Sequence, residues 1–155
     1  MRVLSIGLNP SLPSVAAGFY FANPRNRFWK ALNASRLIRA PVEPGPGAMR
    51  LLLEHEGMGF TDVVKRPTRG AADLKAADYR EGAPRLLGLL ETFHPDYAWF
   101  HGKVAFKQFV RHAGLVCDED VWGRQVLSIG TTRFFVMPNT SPANAAYSLE
   151  TLVSW

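Results

Sequence analysis

Cysteine is all but absent. Cys117 stands alone among 155 residues, so no internal disulfide can form, and an iron–sulfur cluster, which takes about four thiolates, is excluded. Histidine is sparse as well: His55, His94, His101 and His112 fall at spacings that match no zinc motif. No metal and no cofactor is expected. Long hydrophobic runs are missing too. Gly, Pro or a charge interrupts every apolar stretch well short of the roughly 20 residues of a membrane span, and no membrane partner is expected. Residues 1–10 lack the charged start, long apolar middle and cleavage site of a signal peptide, so a cytoplasmic location is expected. There is no internal repeat, low-complexity tract or linker, which suits a single domain over residues 1–155.

What is present is a globular balance, 47% hydrophobic and 20% charged, with a net charge of +5. A basic domain of this kind suits a polyanionic partner, although many basic proteins bind none. Residues 2–8 (Arg-Val-Leu-Ser-Ile-Gly-Leu) read as a buried strand. Asn23-Pro24 reads as the opening of a helix, with Asn as N-cap and Pro at the first position. A loop over 40–47, a helix over about 47–56 and a strand over Phe60–Val64 follow. Residues 65–77 read mostly as loop. Asp78-Tyr79-Arg80-Glu81 reads as a capping box for a helix carrying Leu86, Leu87, Leu90 and Phe93, with Pro84 in its first turns. Further strands are expected at Asp96–Phe100, Val126–Ile129 and Phe134–Met137, and further helices from Gly102 and over Ser148–Trp155. Strands alternating with helices imply an α/β fold with a mainly parallel sheet covered on both faces. In such folds ligands bind beyond the carboxyl ends of the strands. Four stretches should therefore converge: Asn9 onward, Thr61 and Asp62, His101 to Lys103, and Asn139 onward.

Each of these loops has a bland reading beside a chemical one. Asn9, after Gly7-Leu8, can hold a water or a base edge but cannot take a proton; Asn9-Pro10 is also an ordinary turn. Phe19-Tyr20-Phe21 could form a wall on which a base stacks, with Phe21 the best placed, whereas Phe28 and Trp29 have the spacing of core residues. Arg25 and Arg27 near a helix start, Lys65 and Arg66 in a basic cluster with Arg69, and Lys103 could grip phosphates or lie in solvent. Thr61 could help to hold a water. Asp62 could act as a general base or be structural. The stretch Asn139–Asn144 could offer backbone amides to phosphate, or be a plain turn.

Taken together the blocks are specific. Gly7-Leu8-Asn9-Pro10-Ser11, Phe21-Ala22-Asn23-Pro24-Arg25-Asn26-Arg27-Phe28-Trp29-Lys30, Gly59–Val64 with Arg66, Gly102-Lys103, Trp122-Gly123 and Met137-Pro138-Asn139-Thr140-Ser141 resemble the mismatch-specific uracil-DNA glycosylases and thymine-DNA glycosylases. The resemblance runs from about residue 3 to the end. Glycosylase families with Asp in the first motif, or with an iron–sulfur cluster, fit worse. The resemblance implies a three-layer α/β/α sandwich with a short, mainly parallel sheet. It implies a monomeric, cofactor-free enzyme that flips uracil or a related mismatched or damaged pyrimidine out of duplex DNA and hydrolyses its N-glycosidic bond. A non-catalytic DNA-binding module of the same fold is the alternative. By resemblance Asn9 positions the attacking water, Phe21 stacks on the base, Ser14 lies near the base's 5 position, and Gly7, Leu8 and Asn139 line the base site. The loop Ser141-Pro142-Ala143-Asn144 presses on the strand beside the gap. Two departures stand out. Ala143 occupies the place where relatives carry a large wedge, and Asp62 is a carboxylate where they often have an amide or a basic group.

Overall fold

The computed structural model describes residues 1–155. Its strands are β1 (Val3–Gly7), β2 (Met58–Asp62), β3 (Tyr97–His101), β4 (Gly123–Ile129) and β5 (Thr132–Met137). Its helices are α1 (Leu12–Ala17), α2 (Phe28–Ala34), α3 (Pro46–Glu56), α4 (Ala76–Phe93), α5 (Lys103–His112) and α6 (Leu149–Ser154). The strands form one sheet in the order β2-β1-β3-β5-β4. All neighbours run parallel except β4, which pairs antiparallel with β5. The expected mainly parallel α/β sheet is thus present, with one antiparallel edge.

Alternation along the strands sorts the two faces. Leu4, Ile6, Ala98, Phe100, Phe134 and Val136 pack with Leu86 and Leu90 of α4 and with Phe106 and Phe109 of α5. Val3 and Met58 pack on the other face, against Phe28, Trp29 and Leu32 of α2 and Leu52 of α3. Helix α6 closes that layer through Leu152 against Ala31 and Met137. No helix is long and apolar enough to cross a membrane.

Several boundaries differ from the sequence reading, each for a local reason. Asn23 does not start a helix: its Oδ1 accepts from Arg25 N at 3.0 Å and Asn26 Oδ1 accepts from Phe28 N at 2.9 Å, so two side-chain turns precede α2. Asp78 is not an N-cap. It accepts from Lys75 N at 2.7 Å from inside the first turn, so the cap is Lys75 and α4 begins at Ala76, three residues before the expected start at Tyr79. Pro84 consequently falls mid-helix, on the exposed side, where water can reach the carbonyl that a proline leaves unpaired. Strand β2 ends at Asp62, not Val64, yet Val63 N and Val64 N still donate to Gly7 O and Leu8 O at 2.9 Å. Helix α1 was not foreseen. Ser11 caps it, its side chain accepting from Ser14 N, and Gly18 at φ 75° ends it.

Candidate active site

The carboxyl ends of β2, β1 and β3 share one edge. Gly7 pairs in register with Asp62, and His101 lies one residue past the Ile6–Phe100 pair. Residues level with one another on parallel strands point to the same face. Asp62 and His101 therefore flank a position where Gly7 has no side chain, roughly 10 Å apart at two strand spacings. A Cβ on Gly7 would meet Asp62 Oδ1, so a side chain there would displace the carboxylate. Above it opens a cleft of about 250 Å³, lined by Leu8, Asn9, Ser14, Tyr20, Phe21, Asn139, Ser141 and Pro142 among others. A larger cavity of about 600 Å³ lies between α2, α6 and the sheet, but its walls are mostly apolar. The chemistry-bearing groups are in the smaller one.

Asn9 is fixed in orientation. Its amide nitrogen donates to Arg66 O at 3.0 Å and to Thr68 Oγ1 at 2.7 Å. Because a backbone carbonyl can only accept, the nitrogen must face it, and Oδ1 is left free as an acceptor in the cleft. Asp62 is 3% exposed, and its Oδ2 has no partner. Burial pushes its pKa up to about 7, against the opposing pull of Lys65 and then Arg85. Arg85, on α4, donates to Asp62 O and Val63 O but does not pair with the carboxylate. Tyr20 accepts from Lys65 Nζ at 2.9 Å, and burial, with Asp62 second, pushes its pKa up to about 12, so it stays a phenol. Thr61 does not join this group. It is level with Ile6, which faces α4 and α5, and it does not line the cleft.

Phe21 adopts φ 58°, a conformation that costs an aromatic residue about 1–2 kcal/mol. It is held there by stacking on Phe28, with centroids 4.1 Å apart, and by an edge contact with His101 at 5.0 Å. The Ser14 hydroxyl accepts from Ala22 N at 3.2 Å and so ties α1 to the Phe21 turn. Asp62 and His101 are the cleft's only potential metal ligands, and nowhere do three such side chains converge.

The basic residues named from sequence are mostly engaged within the protein. Arg27 donates to Tyr147 O, to Ser141 O at 3.1 Å and to Asn144 O at 2.7 Å; it anchors the last loop and does not face outward. Arg66 forms a bidentate pair with Asp78 that holds the Asp78 carboxyl well below the usual range. Lys103 donates to Asp120 O and lies over the Trp122 ring at 4.5 Å. Lys65 is turned to Tyr20. Arg25 is exposed, and Arg69 lines the cleft while remaining exposed. Three amides of the last loop are taken up within it: Ser141 N, Ala143 N and Asn144 N donate to Asn139 Oδ1, Ser141 Oγ and Ser141 O. Ala143 is exposed and small, and neither it nor Asn144 reaches the cleft.

The model of the uracil DNA glycosylase superfamily matches residues 1–153. The chain belongs to that superfamily. Its activity class is therefore that of a DNA glycosylase, a hydrolase of N-glycosidic bonds. Among solved structures, the chain is similar to the solution NMR structure of a candidate uracil DNA glycosylase from Methanosarcina acetivorans, at 20% identity and a TM-score of 0.61, over 100% of this chain and 86% of that one. That likeness carries the fold.

Within this glycosylase, the sequence assigned no individual role to Tyr20, His101 or Arg69, and it did not point to Arg85 at all. Tyr20 and His101 line the cleft, and both lay in stretches already marked by the strand-end rule or the aromatic cluster. Arg69 was recognisable only as part of a basic run. Arg85 comes from the middle of a helix and had no signal.

Proposed function

We propose that this glycosylase flips uracil, or a related mismatched or damaged pyrimidine, out of duplex DNA, hydrolyses its N-glycosidic bond and leaves an abasic site, acting as a monomer without a cofactor. One observation carries the reading. A carboxamide whose nitrogen is tied back, leaving its oxygen free, shares a small cleft with a buried, unpaired carboxylate beside a glycine whose missing side chain leaves that carboxylate its place.

Cleavage passes through an oxocarbenium-like state, with positive charge on the sugar and negative charge on the departing base. Asn9 Oδ1 accepts from a water and aims it at the sugar carbon. As the C–N bond breaks and the C–O bond forms, the water loses a proton to the Asp62 carboxylate, and the bond's electron pair leaves with the base. A pKa near 7 suits a group that must be both ionised and basic. Phe21, propped from behind by Phe28, offers a ring to the flipped base. Flipping costs a few kcal/mol, least at a mismatch. With only Ala143 to fill the vacated stack, the enzyme depends on that weakened pairing less through a wedge than through the base pocket.

The test is single-turnover cleavage of labelled DNA carrying one U·G pair, one U·A pair or single-stranded uracil, followed by alkali. U·G strands should break, and U·A strands more slowly. Tight binding without breakage in any lane means a non-catalytic module.

A further inference from the structure

The end of β3 holds a buried polar group that the hydrolysis described above does not use. His101 is 2% exposed and lines the cleft. Its Nε2 lies 2.8 Å from Ser5 Oγ. Ser5 is itself buried, and its hydroxyl has no other hydrogen-bond partner. A buried hydroxyl proton without an acceptor costs about 1–3 kcal/mol. The acceptor within reach is the imidazole Nε2. Ser5 therefore donates, Nε2 accepts, and the ring proton sits on Nδ1. Double protonation offers no alternative, since burial alone brings the imidazolium pKa down to about 3. Nδ1 has no partner in the protein. Ser5 lies two residues deeper along β1 than the level of His101, so Nε2 points back along the sheet. Nδ1 lies on the other side of the ring, buried and unpartnered, in a residue that lines the cleft. The Phe21 ring stands edge-on beside it.

We infer that Ser5 and His101 form the base-reading pair of this site: Ser5 fixes the tautomer, and His101 Nδ1–H donates to the 4-keto oxygen of the pyrimidine held on Phe21. The inference rests on the glycosylase reading and adds its specificity. A keto oxygen accepts from this donor, whereas cytosine presents an amino group there and leaves a buried donor facing donor hydrogens. Because the departing base gains negative charge, the same bond strengthens as the glycosidic bond breaks. His101 touches the base; Ser5 acts through His101 and is a positioning residue.

The experiment combines two readouts on the whole chain. Histidine-¹⁵N spectra of the wild type should show His101 protonated on Nδ1, and Ser5→Ala should lose that single tautomer. Single-turnover cleavage should find uracil-containing duplex cut and cytosine-containing duplex uncut by the wild type. His101→Leu should slow uracil cleavage about tenfold or more, the effect of one hydrogen bond, and Ser5→Ala by less, with affinity for undamaged duplex unchanged in both. A wild-type spectrum showing the proton on Nε2, or wild-type cleavage rates in both variants, overturns the pair's role. A wild-type chain that cuts no uracil duplex fails at the earlier step and overturns the glycosylase reading itself.

Discussion

Asp62 is held in a state that the fold opposes. Its pKa is about 7 in the folded protein against 3.8 for the free side chain. Between those values the folded chain holds the proton more tightly than the unfolded one, so stability falls as pH rises from about 4 to about 7, and the loss is complete above. Asp62→Asn removes the penalty. The variant should be more stable than wild type by on the order of 4 kcal/mol at pH 8, a gain that vanishes near pH 4; thermal melts across that range check it. His101 works in the opposite sense: its lowered pKa makes stability fall as pH drops from about 6.5 toward 3, so the comparison is between variant and wild type at each pH. Activity should move the other way. Wild-type cleavage should rise through pH 7, and Asp62→Asn should be slower by roughly 10²–10⁴-fold with no such rise. A variant that keeps the rise assigns the titration to another group. Phe21→Ala should weaken binding of lesion-bearing duplex more than of intact duplex; equal weakening in a fluorescence titration contradicts stacking on a flipped base.

At the scale of elements, one arginine decides how the last loop is held. Arg27 stands just before α2 and collects three carbonyls of the 141–147 segment, while Thr140 Oγ1 donates to Asn26 Oδ1 at 2.8 Å. The base-stacking segment and the last loop are thus one unit. Arg27→Ala leaves those carbonyls without their donor and should cost about 2 kcal/mol, with faster amide exchange confined to residues 139–147. The sheet and its order of elements were legible in sequence because strands and helices differ in hydrophobic period. The cleft was legible because parallel sheets bind ligands at one edge, which placed Asn9, Asp62, His101 and Asn139 together before any coordinates, while Phe21 was singled out by the aromatic cluster before α2. Charge was not legible in the same way. Arg27, Arg66 and Lys103 look free in sequence, but their partners lie on other elements (carbonyls at 141, 144 and 147, the Asp78 carboxylate, the Asp120 carbonyl) and no local pattern announces them. Thr61 was misplaced for a simpler reason. Neighbours in a strand face opposite sides, so it and Asp62 cannot both enter the cleft.

For the whole molecule, the net charge of +5 is not carried to DNA by the cations that look free around the cleft, since Arg27, Lys65 and Lys103 are turned to partners within the protein and Arg66 is matched by Asp78. Phosphate contact should therefore rest on few residues, with Arg69 at the cleft rim foremost. Arg69→Ala should reduce the slope of log affinity against log salt by about 1. Arg66→Ala should leave the slope nearly unchanged, because its charge is already matched by Asp78; equal losses in the two variants would mean that the Arg66–Asp78 pair opens on DNA. The account as a whole stands on a water held by Asn9. Its most direct test is the single-turnover cleavage rate of wild type and Asn9→Ala on one uracil-containing duplex, with binding measured in parallel. The expected result is a loss of about 10²-fold or more in rate while binding persists. A variant that cleaves at the wild-type rate would contradict the assignment of the cleft.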